Sequence, residues 1–431
     1  MRILITGSSG FVGGSVGRFA ANAGHDILGM GHPCASLGSW PYVQVDIAGA
    51  DLAPYLNEFA PDVVVHGAGR ASVGASFEMP VDDFRAATLT WINLLDSVRR
   101  SRVSPRIIFP SSAAVYGNPS RLPVREDAAV NPISPYGYHK AACELLAKEY
   151  ASCFGLDILV CRIFSLFGVA QRRLLVWELY EQCAGDSSEV WLQGTGKECR
   201  DFLHVDDLAA MFLALAEPRS CRPRQSRYLT VNVASGETTP VLSLAERIRD
   251  LASPEKEIRC RGREQTGQPL QWSADISLLR SLLPSWHSPL LGARLANCVA
   301  MWRQERTGID EWQRRDGQSS PDVAHMVRDA DGTIRYWDEG AKHLYGWTPE
   351  EALGQSSHRL LGTIFPRPLR NLEAELYEKG HWEGKLVHKR RDGTEVVVSS
   401  RWDLKRDAHD LSPTVVETNE MKRERHHVGV S

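Results

Sequence analysis

Several features that would assign the chain to a specialised class are missing from its sequence. Its nine cysteines include no Cys-x-x-Cys pair. This pattern suits reduced thiols in the cytosol rather than a disulfide framework. The histidines do not cluster at metal-ligand spacing, so we expect no metal site. Internal repeats and low-complexity tracts are also lacking.

A strong charge of one sign and long apolar runs are equally scarce. The formal net charge is only −3, so bulk electrostatics indicate neither a nucleic-acid partner nor an anionic membrane. No apolar stretch is long enough to span a bilayer. The N-terminal apolar run is short and enters a glycine turn at once, unlike a signal peptide. We therefore expect a cytoplasmic protein with neither nucleic-acid nor membrane partners.

Up to about residue 300, short apolar runs alternate with longer helical patterns. The runs predicted as strands are Arg2–Thr6, His25–Gly29, Val63–His66, Arg106–Pro110 and Leu156–Arg162. The predicted helices include Phe11–Ala23, Asp82–Arg100 and Pro135–Phe154. Continuous apolar runs indicate strands that are buried on both faces, and hence a parallel sheet. We predict an α/β domain with a doubly wound parallel sheet of the Rossmann type.

A glycine loop follows the first predicted strand and opens the first predicted helix. Gly7, Gly10 and Gly13 have the spacing Gly-x-x-Gly-x-x-Gly. Glycine permits a tight turn and close approach of a pyrophosphate, and the helix N-terminus supplies amide donors. The loop therefore predicts a nicotinamide dinucleotide as cofactor. The second strand ends at His32 with no acid or arginine nearby, so NAD and NADP both stay open, with NAD slightly favoured.

Tyr136 and Lys140 lie four residues apart in a predicted helix that Ser134 caps and Pro135 opens. Their side chains share one helical face, where the ammonium stabilises a phenolate and makes Tyr136 a general base. Alone, such a pair is more often accidental. Upstream, Ser112 ends a buried strand, where parallel sheets place ligands. It can hydrogen-bond a substrate oxygen or, alternatively, serve as a helix cap.

Together these motifs resemble the extended short-chain dehydrogenase/reductases of the nucleotide-sugar epimerase/dehydratase family, in particular its UDP-glucose 4-epimerase-like members. The resemblance covers about residues 1–303 and includes Val45-Asp46-Ile47, Val65-His66-Gly67-Ala68-Gly69 and the block from Arg200 to Asp207. It implies the catalytic residues Ser112, Tyr136 and Lys140, the cofactor-binding residues Gly7, Gly10, Phe11, Val12, Gly13, Asp46, Ile47, Ala68, Tyr136 and Lys140, and the substrate-binding residues Ser112, Ser165 and Arg200. It also implies a nucleotide-sugar substrate and a homodimer.

Four positions depart from the family's pattern. Ala113 and Ala114 stand where dehydratases carry acids, so dehydration is unexpected. Ala87 and Ser165 replace asparagines that are common in the family. The resemblance therefore implies a 4-epimerase-like activity with Tyr136 as base. The alternatives are a nucleotide-sugar 4-ketoreductase or dehydrogenase, and a non-catalytic NAD(P)-binding redox sensor.

The last hundred-odd residues have a different composition. Thr348-Pro349-Glu350-Glu351 predicts a capping box, and Asp392-Gly393 predicts a hairpin turn. With Asp331-Gly332 and Gly380-His381-Trp382, these motifs resemble a Per-Arnt-Sim (PAS) sensor domain. Its ligand is unknown, and its role would be dimerisation or regulation of the enzyme.

The aromatic residues of this region have two interpretations. Trp337, Tyr345, Trp347 and Trp382 either form the core or line a small-molecule pocket. We divide the chain into an enzyme domain at 1–304, whose substrate-binding part is mainly 165–300, a polar linker at 305–320, a PAS-like domain at 321–420 and a charged tail at 421–431.

Overall fold

A computed structural model describes residues 1–31, 40–217, 227–262, 271–287, 289–316, 323–329, 332–405 and 414–421. The described residues fall into two compact units, with the division between Gln304 and Glu305. None of the helices in these ranges is long and apolar enough to cross a membrane.

Among the residues that the structure describes, the first unit contains twelve strands, of which seven form one parallel sheet. The strands are β1 (Arg2–Thr6), β2 (Asp26–Gly31), β3 (Tyr42–Gln44), β4 (Val63–His66), β5 (Arg106–Ser112), β6 (Asp157–Ile163), β7 (Ser165–Phe167), β8 (Glu189–Leu192), β9 (Cys199–His204), β10 (Tyr228–Val233), β11 (Thr238–Pro240) and β12 (Glu257–Cys260). The main sheet has the order β10-β6-β5-β4-β1-β2-β3, and smaller sheets have the orders β11-β9-β7 and β12-β8. The predicted doubly wound parallel sheet is confirmed.

Helices cover both faces of this sheet. The helices that begin in the first unit are α1 (Phe11–Asn22), α2 (Ala53–Phe59), α3 (Val73–Glu78), α4 (Pro80–Phe84), α5 (Thr90–Arg100), α6 (Pro135–Phe154), α7 (Leu175–Ala184), α8 (Val205–Ala216), α9 (Val241–Ala252), α10 (Ser277–Leu282) and α11 (Leu291–Asp316). Ile3 and Ile5 belong to the core on one side of the sheet, and Leu4 belongs to the core on the other. Because side chains alternate along a strand, this continuous apolar run buries both faces.

Two helical segments differ from the prediction. The helix expected over 82–100 is interrupted by a π-helical turn, Arg85–Leu89, between α4 and α5. The segment 305–320 was predicted to be a linker from its polar composition, but α11 continues through it to Asp316. The remainder of that predicted linker, 317–320, lies outside the described residues.

The second unit is an antiparallel sheet with short helices. Its elements are β13 (Val323–Asp329), β14 (Ile334–Trp337), α12 (Glu339–Tyr345), α13 (Pro349–Ala352), α14 (Ser357–Leu360), α15 (Leu369–Lys379), β15 (His381–Lys389), β16 (Glu395–Lys405) and β17 (Thr414–Met421). The strand order is β14-β13-β17-β16-β15.

Local signals in this unit predicted its structure well. Thr348 and Glu351 form the expected capping box, and β15 and β16 pair as the expected hairpin. Trp337, Tyr345 and Trp382 are buried in one core, against which Trp347 packs. The core interpretation of these aromatic residues is therefore confirmed. The predicted tail beyond Met421 lies outside the described residues.

Candidate active site

The glycine loop has no room for a side chain at two of its positions. Gly7 has a φ of +65°, and a Cβ there would lie 2.6 Å from the amide nitrogen of Ala68. A Cβ on Gly13 would lie 2.3 Å from the carbonyl oxygen of Gly7. The Gly10 amide donates to the same carbonyl at 2.9 Å. The structure thus brings Gly7, Gly10, Gly13 and Ala68 together.

Helix α1 begins directly behind this loop. Its N-cap is Gly10, which contributes no side chain to the helix end. The first amides, those of Phe11, Val12 and Gly13, have no partner within the helix itself. Such amides, with the positive end of the helix dipole, attract phosphate oxygens. A cradle that a Cβ would fill and a helix end that no side chain caps fit the pyrophosphate of a dinucleotide.

Asp46 and Ile47 follow β3 at the same edge of the sheet. The Val45 amide donates to the Gly31 carbonyl at 2.8 Å, which places Asp46 beside the carboxyl end of β2. The exposed Asp46 carboxylate accepts from the Ala48 amide at 3.0 Å. Ile47 is buried, and its carbonyl oxygen accepts from Asn93 Nδ2 at 2.8 Å. His32, where the sequence lacks the expected acid, lies outside the described residues.

His66 forms a directed chain of hydrogen bonds beneath the loop. Thr90 Oγ1 donates to the Ala86 carbonyl at 2.6 Å, so it accepts from His66 Nε2 at 3.4 Å. Nδ1 is then the acceptor for Thr6 Oγ1, at 2.9 Å. Burial, with a smaller effect of the Lys140 charge, lowers the pKa of His66 to about 3. The ring is therefore neutral and fixed in one tautomer.

Tyr136 and Lys140 stand at the start of α6. Ser134 caps the helix as predicted, its side chain accepting from the Gly137 amide at 3.2 Å. Lys140 Nζ donates to the Pro110 carbonyl at 2.8 Å and lies 5.9 Å from the centroid of the Tyr136 ring. The pair therefore faces the carboxyl end of β5, where the sheet places its ligands.

Ser112 ends β5 and begins a short 3-10 helix, Ala113–Tyr116. Its Oγ accepts from the Ala114 amide at 3.2 Å, so the capping role considered for it is real. A hydroxyl that accepts a hydrogen bond can still donate its own proton, and Ser112 therefore stays available to a substrate oxygen. The side chains of Ala113 and Ala114 are buried and bring no carboxylate to this position.

Two contacts that hold α6 were not expected from the sequence. The Tyr136 amide donates to Ser76 Oγ at 3.1 Å. His139 Nδ1 lies 2.6 Å from Asp83 Oδ2, and the Asp83 side chain is 2% exposed. Ser76 and Asp83 are on α3 and α4, far from α6 in the chain. Local patterns gave no signal for either contact, because both depend on tertiary packing.

A buried ion pair connects α6 to β6. Arg162 Nη2 lies 2.7 Å from Glu144 Oε2, with side-chain exposures of 6% and 7%. Ser111 Oγ donates to Glu144 Oε1 at 2.6 Å. This arginine belongs to the Arg-Ile-Phe-Ser segment, and its contacts position the helix rather than face the reacting groups.

Ser165 and Arg200 lie on neighbouring strands of a small sheet. β7 begins at Ser165, which pairs with Phe202 of β9. Arg200 Nη1 donates to the Cys199 carbonyl at 2.9 Å, and its guanidinium lies 5.5 Å from the centroid of the Trp272 ring. Burial lowers the pKa of Arg200. A buried guanidinium next to an aromatic face is suited to an anionic group.

Asp201 fixes the strand that carries Arg200. Its carboxylate accepts from the Ser235 amide at 2.8 Å, from Ser235 Oγ at 2.7 Å and from the Gly236 amide at 2.8 Å. Burial raises the pKa of Asp201 to about 6, against those hydrogen bonds. Asp201 therefore fixes the position of β9 against the segment that begins at Ser235.

Fold and site together define a Rossmann-type dinucleotide-binding unit with a Tyr/Lys pair. Comparison with family models matches residues 3–234 to the NAD dependent epimerase/dehydratase family. Residues 313–412 match the PAS fold.

Individual relatives and solved structures agree with these matches. The chain is 30% identical to a UDP-glucose 4-epimerase of Mycolicibacterium smegmatis over 51% of this chain and 74% of the relative. It is 29% identical to a UDP-glucose 4-epimerase of Azospirillum brasilense over 65% of this chain and 86% of that relative. The crystal structure of a UDP-glucuronic acid 4-epimerase from Bacillus cereus, in complex with UDP-glucuronic acid and NAD, superposes with a TM-score of 0.64. That superposition covers 71% of this chain and 100% of the other at 24% identity, so it supports the fold.

The chain belongs to the NAD dependent epimerase/dehydratase family and carries a C-terminal PAS domain. The predicted family, fused architecture and nicotinamide cofactor class are thereby confirmed.

Proposed function

We propose that the first unit is a nicotinamide-dependent nucleotide-sugar epimerase that acts at carbon 4 of a UDP-linked hexose. The observation that carries this proposal is the Tyr136/Lys140 pair facing the carboxyl end of β5, beside Ser112. Family membership supports the reaction class, and the two UDP-glucose 4-epimerase relatives support the nucleotide and the carbon.

Tyr136 is the proposed base. The Lys140 ammonium favours its phenolate form through charge, and the Ser112 hydroxyl donates to the sugar oxygen that loses its proton. Lys140 Nζ has three donors and uses one on Pro110, which leaves others for the ribose of the cofactor. A bound nicotinamide supplies the hydride acceptor for oxidising the sugar carbinol and the hydride donor for reducing either face of the ketone.

The residues around this base limit the reaction. Elimination of a sugar hydroxyl needs an acid and a base next to Ser112. Ala113 and Ala114 provide neither, so oxidation and reduction without dehydration remain. Arg200 is the proposed partner of the substrate diphosphate. Ser165 stands where the family commonly has asparagine, and its shorter side chain is the proposed hydrogen-bond donor to the substrate.

The nicotinamide dinucleotide is proposed to bind at the glycine loop. Gly7, Gly10, Phe11, Val12 and Gly13 offer backbone amides and space to the pyrophosphate. In the same proposal, Asp46 and Ile47 contact the adenine, and Ala68 lies beside the cofactor. NAD is favoured over NADP by the family's description.

The experiment that tests this function is turnover of a panel of UDP-hexoses by the full chain and by Tyr136→Phe. We expect wild type to convert UDP-glucose or a related UDP-hexose to its 4-epimer. Tyr136→Phe should lower kcat by about 10²–10⁴-fold, the usual contribution of a general acid–base group. Tyr138→Phe is the matched control, because Tyr138 is on the same helix but 58% exposed; it should keep full activity.

The other outcomes of this experiment identify the alternatives. Accumulation of a 4-keto sugar with a change in cofactor absorbance would indicate a ketoreductase or dehydrogenase. No conversion of any sugar by a protein that retains cofactor would indicate a redox sensor. Full turnover by Tyr136→Phe would contradict the proposed base.

A homodimer, regulation by the PAS domain and a cytoplasmic location complete the proposal. Exposed apolar side chains on neighbouring helices support a homodimer; they are Phe77, Val81, Phe84 and Leu89 near α3–α5, and Leu145 on α6. Contiguous exposed apolar surface is typical of protein interfaces. The cytoplasmic location and the role of the PAS domain stay predictions.

A further inference from the structure

The end of β2 has no room for the side chain that usually binds the ribose of a dinucleotide. In Rossmann domains that use NAD, a carboxylate about 20 residues beyond the glycine loop has that role. Here β2 ends at Gly31, and residues 32–39 include no aspartate, glutamate, arginine or lysine. A Cβ on Gly31 would lie 2.9 Å from the Tyr42 hydroxyl oxygen. Tyr42 therefore occupies the space that an acidic side chain at this position would need.

Tyr42 reaches this position from the neighbouring strand. β3 runs parallel to β2, and the register places Tyr42 opposite Gly29. A Cβ on Gly29 would lie 2.9 Å from Tyr42 Cδ2, just as one on Gly31 would meet the hydroxyl. Residues two apart share a face of a strand, so the ring lies along β2 over the two glycines. Its hydroxyl consequently points to the carboxyl end of the sheet, where ligands bind.

The Tyr42 hydroxyl lies between the two parts of the proposed dinucleotide site. The position of a Cβ on Gly31 is 3.6 Å from the Gly7 amide nitrogen, so the hydroxyl is close to the loop proposed for the pyrophosphate. On the other side, the Val45 amide donates to the Gly31 carbonyl and leads to Asp46, which is proposed to contact the adenine. The adenosine ribose connects these two groups. A phenol hydroxyl both donates and accepts, so it can keep a protein partner and still bind a ribose oxygen.

Arg18 brings a positive charge to the same side of the site. It follows Gly14 by four residues on α1, so the two share a helical face, and Arg18 Nη1 lies 3.4 Å from the position of a Cβ on Gly14. That position is 3.3 Å from the Ser8 carbonyl oxygen of the glycine loop. Trp40, just before β3, packs against Gly17 of α1, where a Cβ would lie 2.5 Å from its ring. The guanidinium therefore lies beside the glycine loop, on the part of α1 that meets the segment before β3.

We propose that Tyr42 takes the place of the ribose-binding acid and that the site accepts NADP as well as NAD. The neutral hydroxyl bonds to the 2′ oxygen of either cofactor, whereas a carboxylate would repel the 2′-phosphate of NADP. The Arg18 guanidinium balances the charge of that phosphate. The Asp46 carboxylate accepts from the Ala48 amide in its own turn and does not take this role. The proposal rests on the dinucleotide site of the proposed function and widens its range of cofactors.

The test is calorimetric titration of the full chain with NAD and with NADP, after bound nucleotide has been removed and without any sugar. We expect the two dissociation constants to differ by less than about tenfold. Because no sugar is present, the result does not depend on epimerase activity. Failure of both cofactors to bind would overturn the proposed dinucleotide site itself. Binding of NAD that is more than tenfold tighter than that of NADP would overturn only the role given to Tyr42 and Arg18.

Two variants separate the two contacts. Tyr42→Phe keeps the ring over Gly29 and removes only the hydroxyl, so it should weaken NAD by about 3–10-fold, the effect of one neutral hydrogen bond. It should leave unchanged the binding of an NAD analogue whose adenosine ribose lacks the 2′-hydroxyl. Arg18→Met keeps a long apolar side chain on α1 and should weaken NADP at least about tenfold, because it removes a charged partner, while NAD binds as before. Tyr55→Phe, which removes a hydroxyl on α2, is the matched control and should bind both cofactors as wild type does.

Three results with these variants would overturn the proposal. In the first, Tyr42→Phe binds NAD as tightly as Tyr55→Phe does, so the hydroxyl contacts no ribose oxygen. In the second, Tyr42→Phe weakens the 2′-deoxy analogue as much as NAD, so the loss comes from altered packing over β2. In the third, Arg18→Met does not weaken NADP more than NAD, so the guanidinium does not face the 2′-phosphate.

Discussion

At the scale of single residues, the geometry of Tyr136 depends on side chains that contact no substrate. Ser76 accepts a hydrogen bond from the Tyr136 amide. The hydrogen bond between His139 and Asp83 attaches the same helix to α4. Lys140 is held in turn by the Pro110 carbonyl. The chain spacing predicted that Tyr136 and Lys140 share a face, since that follows from the helical period. The spacing could not predict the contacts that Ser76 and Asp83 make with α6, because only tertiary packing brings these residues to that helix.

His66 gives a residue-scale prediction about pH. Its pKa falls from 6.5 to about 3 in the folded chain because of burial. Between these values the unfolded chain binds a proton that the folded chain does not, so stability decreases as the pH falls below 6.5. His66 thereby lowers the free energy of unfolding by about 1.4 kcal/mol for each pH unit in this range.

The variant His66→Gln should therefore lose less unfolding free energy than wild type between pH 7.5 and 5.5, by about 1–2 kcal/mol. Urea unfolding of the first unit at both pH values measures this difference. His287→Gln, at an exposed position, is the control and should follow wild type. Equal pH dependence in wild type and His66→Gln would contradict the buried neutral ring.

At the scale of elements, the sequence predicted the central strands and missed the peripheral ones. β1, β4 and β5 are continuous apolar runs, which leave a clear signal. β7 and β11 have three residues each, too few for any period. The π-helical turn was also missed, since its composition is that of an ordinary helix; it contains Ala87, where the family commonly has asparagine.

The ion pair between Glu144 and Arg162 gives a prediction at this scale. It joins α6 to β6 inside the protein, and removing one partner leaves a buried charge unpaired. Arg162→Met should cost about 3–5 kcal/mol of unfolding free energy. The double variant Glu144→Leu/Arg162→Met should recover most of that loss, because no buried charge remains. Chemical unfolding of both variants measures this, and a double variant that is as unstable as the single one would contradict the explanation.

At the scale of the whole molecule, composition and motifs predicted two domains of different type. The structure of the predicted linker was harder to predict, because the polar residues after Gln304 have the composition of a linker and yet continue a helix to Asp316. Helical structure in such a segment depends on contacts beyond its own sequence.

Truncation after Ser320 tests the contribution of the PAS domain to the assembly. Two associating units on one chain act at high effective concentration, so the full chain should dimerise more tightly than residues 1–320. We expect the dimer dissociation constant to rise at least tenfold on truncation, measured by sedimentation equilibrium. An unchanged dissociation constant with unchanged turnover would contradict a role for this domain in dimerisation or regulation.

We propose that the first unit epimerises a UDP-hexose at carbon 4 by removing and returning the same hydrogen. Incubation of the full chain with UDP-glucose carrying deuterium at carbon 4, followed by mass and NMR analysis of the product, tests it most directly. We predict UDP-galactose that retains the deuterium at carbon 4, at a rate that Tyr136→Phe nearly abolishes. Product that has lost the label to solvent, or no epimer from any UDP-hexose, would contradict the account.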